Sequence, residues 1–319
     1  MVDVLSSTKR VLGQSRNVKI DLEAIHSLVS DVKKEDLRVS EIGLAKKQWT
    51  FDNLLQIIFV FNTVNFCFWA GKDEKKWTVQ IDGEELDGSI ALFRCIEKEV
   101  EKNPDFLAGD ELADLSRSHL RRILAGNVQI PLFEERLNCL NEAGKVLEKR
   151  FGNSFIGVYE KAGNDALALA NLLIKYFPCF DDISEYKGEK MGFYKRAQLN
   201  SKMVSDTLVA SGKGKLRNLD KLTAFADYKI PQILRSLGAI RYSKELEEKI
   251  DCYKLIKKGS EEEVEIRTAT IWAVELIRRE LQKKHSFVTA SHVDSMLWNM
   301  SQTKTKGGKP YHRTLTTAY

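Results

Sequence analysis

The 319 residues include 50 basic and 45 acidic side chains, a formal charge of +5, with 43% hydrophobic and 30% charged residues. That balance excludes disordered and collagen-like chains and leaves ample apolar material for a sizeable core. The small, mixed excess of positive charge argues against a nucleic-acid binder, which gathers its basic residues on one face, and suits a pocket for a small anionic ligand.

The polar stretch Met1 to Lys19 carries Lys9, Arg10 and Arg16 without a continuous apolar segment, so it reads as a short mobile arm and not as a signal peptide. Apolar residues then recur three and four apart through Ile20–Val32 and Phe51–Phe61, the spacing of helix faces. The apolar run Leu54 to Ala70 is broken by Gln56, Asn62, Thr63 and Asn65. It falls below the roughly 20 residues that span a bilayer, so a buried core helix is expected. Lys76 to Ile81 alternates polar and apolar residues before the turn pair Asp82-Gly83, which predicts a small hairpin on a helical body.

Helical spacing resumes through Ile90–Val100, Leu120–Leu124, Leu137–Phe151, Ala166–Phe177, Ala197–Val209, Leu246–Ile256, Thr268–Leu281 and Val293–Met300. The fold class is therefore mainly α with a small β insertion. Ser211-Gly212-Lys213-Gly214-Lys215 is the best loop and softly sets off the last third of the chain; it lacks the spacing of a phosphate-binding P-loop. Cys67, Cys95, Cys139, Cys179 and Cys252 lie far apart with no Cys-x-x-Cys pair, which points to free buried thiols and a reducing, cytoplasmic setting.

Three places carry candidate chemistry. Asp227, in Phe225-Ala226-Asp227-Tyr228-Lys229-Ile230-Pro231, lies on a loop entering a helix expected from about Pro231 to near Gly238. It either faces a ligand beside Phe225 and Tyr228 or satisfies backbone donors of the turn. After Gly238 a second helix, Lys244 to Ile256 with Ser243 as its cap, would complete a helical hairpin joined by a short turn. Asp294 is the second candidate. If its helix begins after Ser291, it completes a capping box, a sufficient structural explanation. Four-residue spacing also sets Trp298 on the same face, so an acid and a flat aromatic surface would share one pocket. The third is Phe193-Tyr194-Lys195-Arg196 at a helix start, where backbone donors and two cations suit a phosphate, or else are solvated charges. His26, His119, His285, His292 and His312 show no metal-ligand spacing, and no hydrolase or dinucleotide motif is present.

Several segments together resemble the queuosine salvage family: Asn65-Phe66-Cys67-Phe68-Trp69, Glu134-Glu135-Arg136 with Phe151 to Phe155, Phe193 to Gln198, Phe225 to Gln232, Glu263 to Arg267, Leu297-Trp298, and His312-Arg313 before Tyr319. They cover the chain from about Phe51 onward, so residues 1–50 are expected to form an N-terminal arm and helices and 51–319 the catalytic domain. The resemblance implies a helical body like that of helix-hairpin-helix DNA glycosylases, with the hairpin unit near 220–300. It implies a nucleotide substrate, queuosine 5′-monophosphate, hydrolysed to queuine without metal or organic cofactor, and no membrane or stable nucleic-acid complex. Phe225, Asp227 and Asp294 would line the queuine pocket. Tyr228, Lys229, Phe193, Lys195, Arg196, Trp298, Asn299, His312 and Arg313 are the further candidates for substrate contact. Two departures bear on base contacts: Asn299 stands where the family usually has Asp, and Ala45-Lys46-Lys47-Gln48 replaces a common His-Pro pair.

Breaking an N-glycosidic bond develops positive charge on the sugar, which a fixed carboxylate in a water-poor site stabilises. A second acid would orient water or bind the cationic amine of queuine, as two acids divide such roles in glycoside hydrolysis. Analogy with helix-hairpin-helix glycosylases favours Asp294 for the sugar; the loop position and flanking aromatics favour Asp227. A non-catalytic helix-hairpin-helix module binding nucleic acid, or a helical scaffold for protein partners, are the readings from other classes.

Overall fold

The computed structural model describes residues 2–37, 49–304 and 308–319, so the Ala45 to Gln48 departure lies outside the described residues. In chain order the elements are α1 (Val4–Gln14), β1 (Val18–Ile20), α2 (Leu22–Asp31), α3 (Phe51–Thr63), β2 (Thr78–Ile81), β3 (Glu84–Asp87) and α4 (Gly88–Lys102). Helices α5 (Gly109–Ala113), α6 (Arg117–Ile123), α7 (Phe133–Arg150), α8 (Phe155–Lys161) and α9 (Ala166–Tyr176) follow. Next come β4 (Ile183–Tyr186), β5 (Glu189–Gly192), α10 (Lys195–Ala210), α11 (Lys229–Ser236), β6 (Ile240–Tyr242), α12 (Lys244–Asp251), α13 (Glu261–Gln282) and α14 (Ala290–Lys304). The protein is mainly α, with three two-stranded antiparallel ribbons among the described residues.

These elements form two compact units that interleave along the chain. One comprises Gly43–Asp181, Arg196–Arg217 and Thr316–Tyr319. Its core is α3, where every side chain from Leu54 to Thr63 is buried and Phe59 stacks on Phe155 at 4.7 Å. The apolar run is thus a core helix as far as Thr63, and it continues as buried non-helical chain to Trp69. Among the described residues no helix is long and apolar enough to cross a membrane. The β2–β3 hairpin forms as the Asp-Gly pair predicts, with Asp82 at φ 54° and Gly83 at φ 84°, the left-handed pair that matches strand twist.

The other unit comprises Met1–Ile42, Asp182–Lys195 and Asn218–Leu315. Helix α13 is its centre, with fifteen buried residues. The expected mobile arm is instead helix and strand. Asp3 caps α1 by accepting the Ser6 N–H, α1 buries Val4, Thr8 and Val11, and Thr8 Oγ1 accepts the Trp272 indole N–H at 3.0 Å. Strand β1 pairs with β6, Val18 opposite Tyr242. A buried carboxylate, Glu265, accepts the N–H groups of Arg16 and Asn17 at 3.1 and 2.7 Å, so the segment between α1 and β1 is bonded to α13. Hydrophobic spacing in a polar helix whose main partner is 260 residues away is too weak a signal to separate it from a tail.

The helical hairpin differs in its joint. Helix α11 begins at Lys229, two residues before the expected start, and α12 ends at Asp251, short of Ile256. Between them stands β6, entered through Gly238 at φ 73°, so the link is a paired strand and not a bare turn. Ser243 caps α12 as expected, accepting the Leu246 N–H. Cys67, Cys95 and Cys139 are free buried thiols, Cys179 is half-buried and Cys252 is exposed.

Candidate active site

Asp227 sits where the chain enters α11. Its Oδ1 accepts the N–H of Lys229 at 2.7 Å and of Ile230 at 2.9 Å, two of the donors that a helix start leaves without an intrahelical partner. The structural role weighed for this acid is therefore filled. Both bonds go to one oxygen, which leaves Oδ2 outside the cap.

Asp294 behaves differently. Helix α14 starts at Ala290, a residue before the start expected after Ser291. Just ahead of it, Thr289 Oγ1 lies 2.7 Å from His292 Nδ1 and 2.9 Å from Ser291 Oγ, and the Thr289 N–H donates to His292 Nδ1 at 3.2 Å. Asp294, 6% exposed, accepts the N–H of Phe225 on its carboxylate Oδ2 at 2.8 Å. Two acids 67 positions apart thus belong to segments joined by a buried hydrogen bond. Trp298, one turn along α14, and Asn299 are half-buried.

The Phe193 to Arg196 segment turns sharply. Tyr194 holds φ 52°, a left-handed conformation that is rare for a bulky residue, and Gly192 makes it possible. A Cβ at Gly192 would fall 2.0 Å from the Tyr194 ring. Asp182 secures the turn: its carbonyl accepts the Phe193 N–H at 2.9 Å and its Oδ2 the Lys195 N–H at 3.3 Å. Lys195 then begins α10. Arg196, the second cation of the segment, is engaged with backbone carbonyls. Its buried guanidinium donates to the carbonyls of Asn62, Thr63 and Cys179 and lies over the Phe66 and Phe180 rings, a strut inside the first unit described above.

The C-terminal segment reaches α11. Gln232 Nε2 donates to the Lys309 carbonyl at 2.9 Å. Tyr311 lies 4.9 Å from the Tyr228 ring, and Lys229 Nζ is 5.2 Å from the Tyr311 centroid. The Arg313 guanidinium sits 4.0 Å over Tyr253 and 4.7 Å from Tyr311. Burial, followed by the charges of Arg267 and Arg313, pushes the His312 imidazole down to about 3, so it is neutral at pH 7. Tyr253 and Tyr311 carry no signal in the sequence, since each gains meaning only through partners far along the chain.

Elsewhere, a cavity of about 560 Å³ is lined by residues of β2, α4 and α6, among them Asp82, Lys98, Glu99 and His119, and by none of the predicted site residues. Its charges are largely paired with each other, Lys98 to Asp82 at 2.8 Å and His119 to Glu99 at 2.7 Å.

The Phe225 N–H to Asp294 bond joins the two acid-bearing segments, and the family to which the chain's motifs point is found independently by comparison with known proteins. A family model described as queuosine salvage protein matches residues 45–319. The chain belongs to this family. A queuosine 5′-phosphate N-glycosylase/hydrolase of Sphaerobacter thermophilus is 37% identical over 321 residues, covering 99% of this chain and 97% of that protein. Proteins of the same name from Bos taurus and Dictyostelium discoideum are each 32% identical over 330 residues, covering 97% and 99% of this chain and 96% and 98% of their own lengths.

Proposed function

We propose that this member of the queuosine salvage family hydrolyses the N-glycosidic bond of queuosine 5′-monophosphate and releases queuine. The observation that carries the reading is the buried bond from the Phe225 N–H to Asp294, which ties the Asp227 loop to the Asp294 helix. Cleavage sends the bonding pair to the base nitrogen and leaves an oxocarbenium-like sugar. A buried, fixed carboxylate opposes that charge more strongly in the transition state than in the ground state, which fits Asp294. Asp227, half-buried and with one oxygen outside its cap, fits the second role, orienting the water that adds to the anomeric carbon or holding the queuine amine. The water oxygen joins the sugar and its proton ends on the base.

Lys195 at the start of α10 and Lys229 at the start of α11 are the cations for the 5′-phosphate, without Arg196. Phe193, Phe225, Tyr228 and Trp298 supply apolar and aromatic surface for the base, with Asn299, His312 and Arg313 as its polar contacts. Mixed surface charge supports a free nucleotide as substrate and no lasting nucleic-acid complex. Incubation with queuosine 5′-monophosphate, with mass spectrometry for free queuine, tests the reading. Release of queuine is expected; retention of intact nucleotide by a protein that binds single-stranded or duplex nucleic acid would replace it with the non-catalytic module.

A further inference from the structure

A buried charge pair beside the candidate site is not used by the chemistry above. Arg267, on α13 and 1% exposed, forks onto Asp182, with Nη1 to Oδ1 at 2.8 Å and Nη2 to Oδ2 at 2.6 Å. Its Nε donates to the carbonyl of Ala226 at 3.3 Å, and its planar face lies 4.0 Å from the Phe193 ring centroid. A second buried carboxylate, Glu263, stands one turn away at 3.7 Å.

A buried ion pair is weak support for stability, because well-packed apolar residues in its place are often as stable. What a guanidinium supplies that a methionine does not is direction: several donors in a rigid fork fix several acceptors at once. Here the acceptors flank the site. Ala226 lies between Phe225, whose N–H goes to Asp294, and Asp227, whose Oδ1 caps α11. Asp182 in turn holds the turn through Phe193, Tyr194 and Lys195.

We infer that Arg267, through Asp182 and the Ala226 carbonyl, is a positioning residue that holds the Phe225–Asp227 loop and the Phe193–Lys195 turn in the geometry the two acids need. The inference rests on the site proposed above. Misplacing reacting groups by about 1 Å costs on the order of a hundredfold in rate, so a loosened fork should appear in kcat even when substrate binding persists.

The test is Arg267→Lys, which keeps the charge but replaces the rigid planar fork with one ammonium nitrogen on a flexible stem. Its kcat is expected to fall roughly tenfold to a hundredfold with KM changed by less than about threefold. Leu281→Ala, a core change at the far end of the same helix, controls for lost stability. A wild-type kcat in Arg267→Lys overturns the inference, as does a loss no greater than that of Leu281→Ala at an equal drop in melting temperature. Should Arg267→Lys not fold, Asp182→Glu, which keeps the pair and shifts the carboxylate by one methylene, is judged by the same two criteria. The site reading is separable: it fails if Asp227→Asn and Asp294→Asn both turn over normally, whereas an inactive acid variant beside a fully active Arg267→Lys removes only the positioning role.

Discussion

The two candidate acids sit in regions built on opposite principles. Asp227 is held by amides two and three residues further along its own chain, a bond pattern that any loop entering a helix can form. Asp294 is held by an amide 69 residues away, while Thr289 Oγ1 just ahead of its helix meets His292 Nδ1. A locally satisfied acid keeps its geometry when its surroundings shift; a distantly satisfied one reports on the packing of a whole unit. The site therefore has one arm set by local chemistry and one set by tertiary contact.

The sharpest way to break that contrast is charge removal without loss of shape. Asp294→Asn should lower turnover on the order of a hundredfold or more, as other losses of transition-state electrostatics do. Asp227→Asn should mainly raise KM. Steady-state kinetics on folded variants decides, and the reverse pattern would exchange the two roles.

A second test uses pH. His312 has its folded value pushed down to about 3 from an ordinary 6.5, so the unfolded chain takes up a proton between those values and the folded one does not. The stability this neutral, buried imidazole contributes is complete above pH 6.5 and is lost as pH falls toward 3, on the order of 3 kcal/mol by pH 4. Urea unfolding at stepped pH should show this slope, and His312→Asn should flatten it. An unchanged slope would mean that other groups control acid sensitivity.

Of intermediate size is the phosphate contact. Lys195→Ala should weaken binding of queuosine 5′-monophosphate by about tenfold while leaving queuosine without its phosphate unaffected. Equal losses on both ligands would remove Lys195 from the phosphate site. The smallest effect sharpens the comparison at the Asp294 helix itself. Thr289→Ala should cost about 1 kcal/mol of stability, and Ser291→Ala a few tenths, with kcat unchanged in both. A larger loss at Ser291 in thermal melts would restore the capping box expected from sequence.

By itself the sequence determined the mainly helical body, the core helix at Leu54 to Thr63 and the Asp82-Gly83 hairpin, because apolar periodicity and turn chemistry are written within a few residues of where they act. It also determined the family, through short motifs from Asn65 to Arg313 that keep their order, and it offered both acids as candidates. What it left to the tertiary structure were the contacts that depend on distant partners. The first strand has only three residues and no identity until β6 lies beside it. Arg196 and Lys195 are neighbours with the same charge, and only packing separates them, since one guanidinium finds three backbone carbonyls and the rings of Phe66 and Phe180 around it. Arg267 is a motif residue in sequence and a fork between Asp182 and Ala226 in space. The physical reason is common to all three: a hydrogen bond or ion pair is specified by where its acceptor is in three dimensions, and one-dimensional spacing encodes that only when donor and acceptor share a turn of helix or a hairpin.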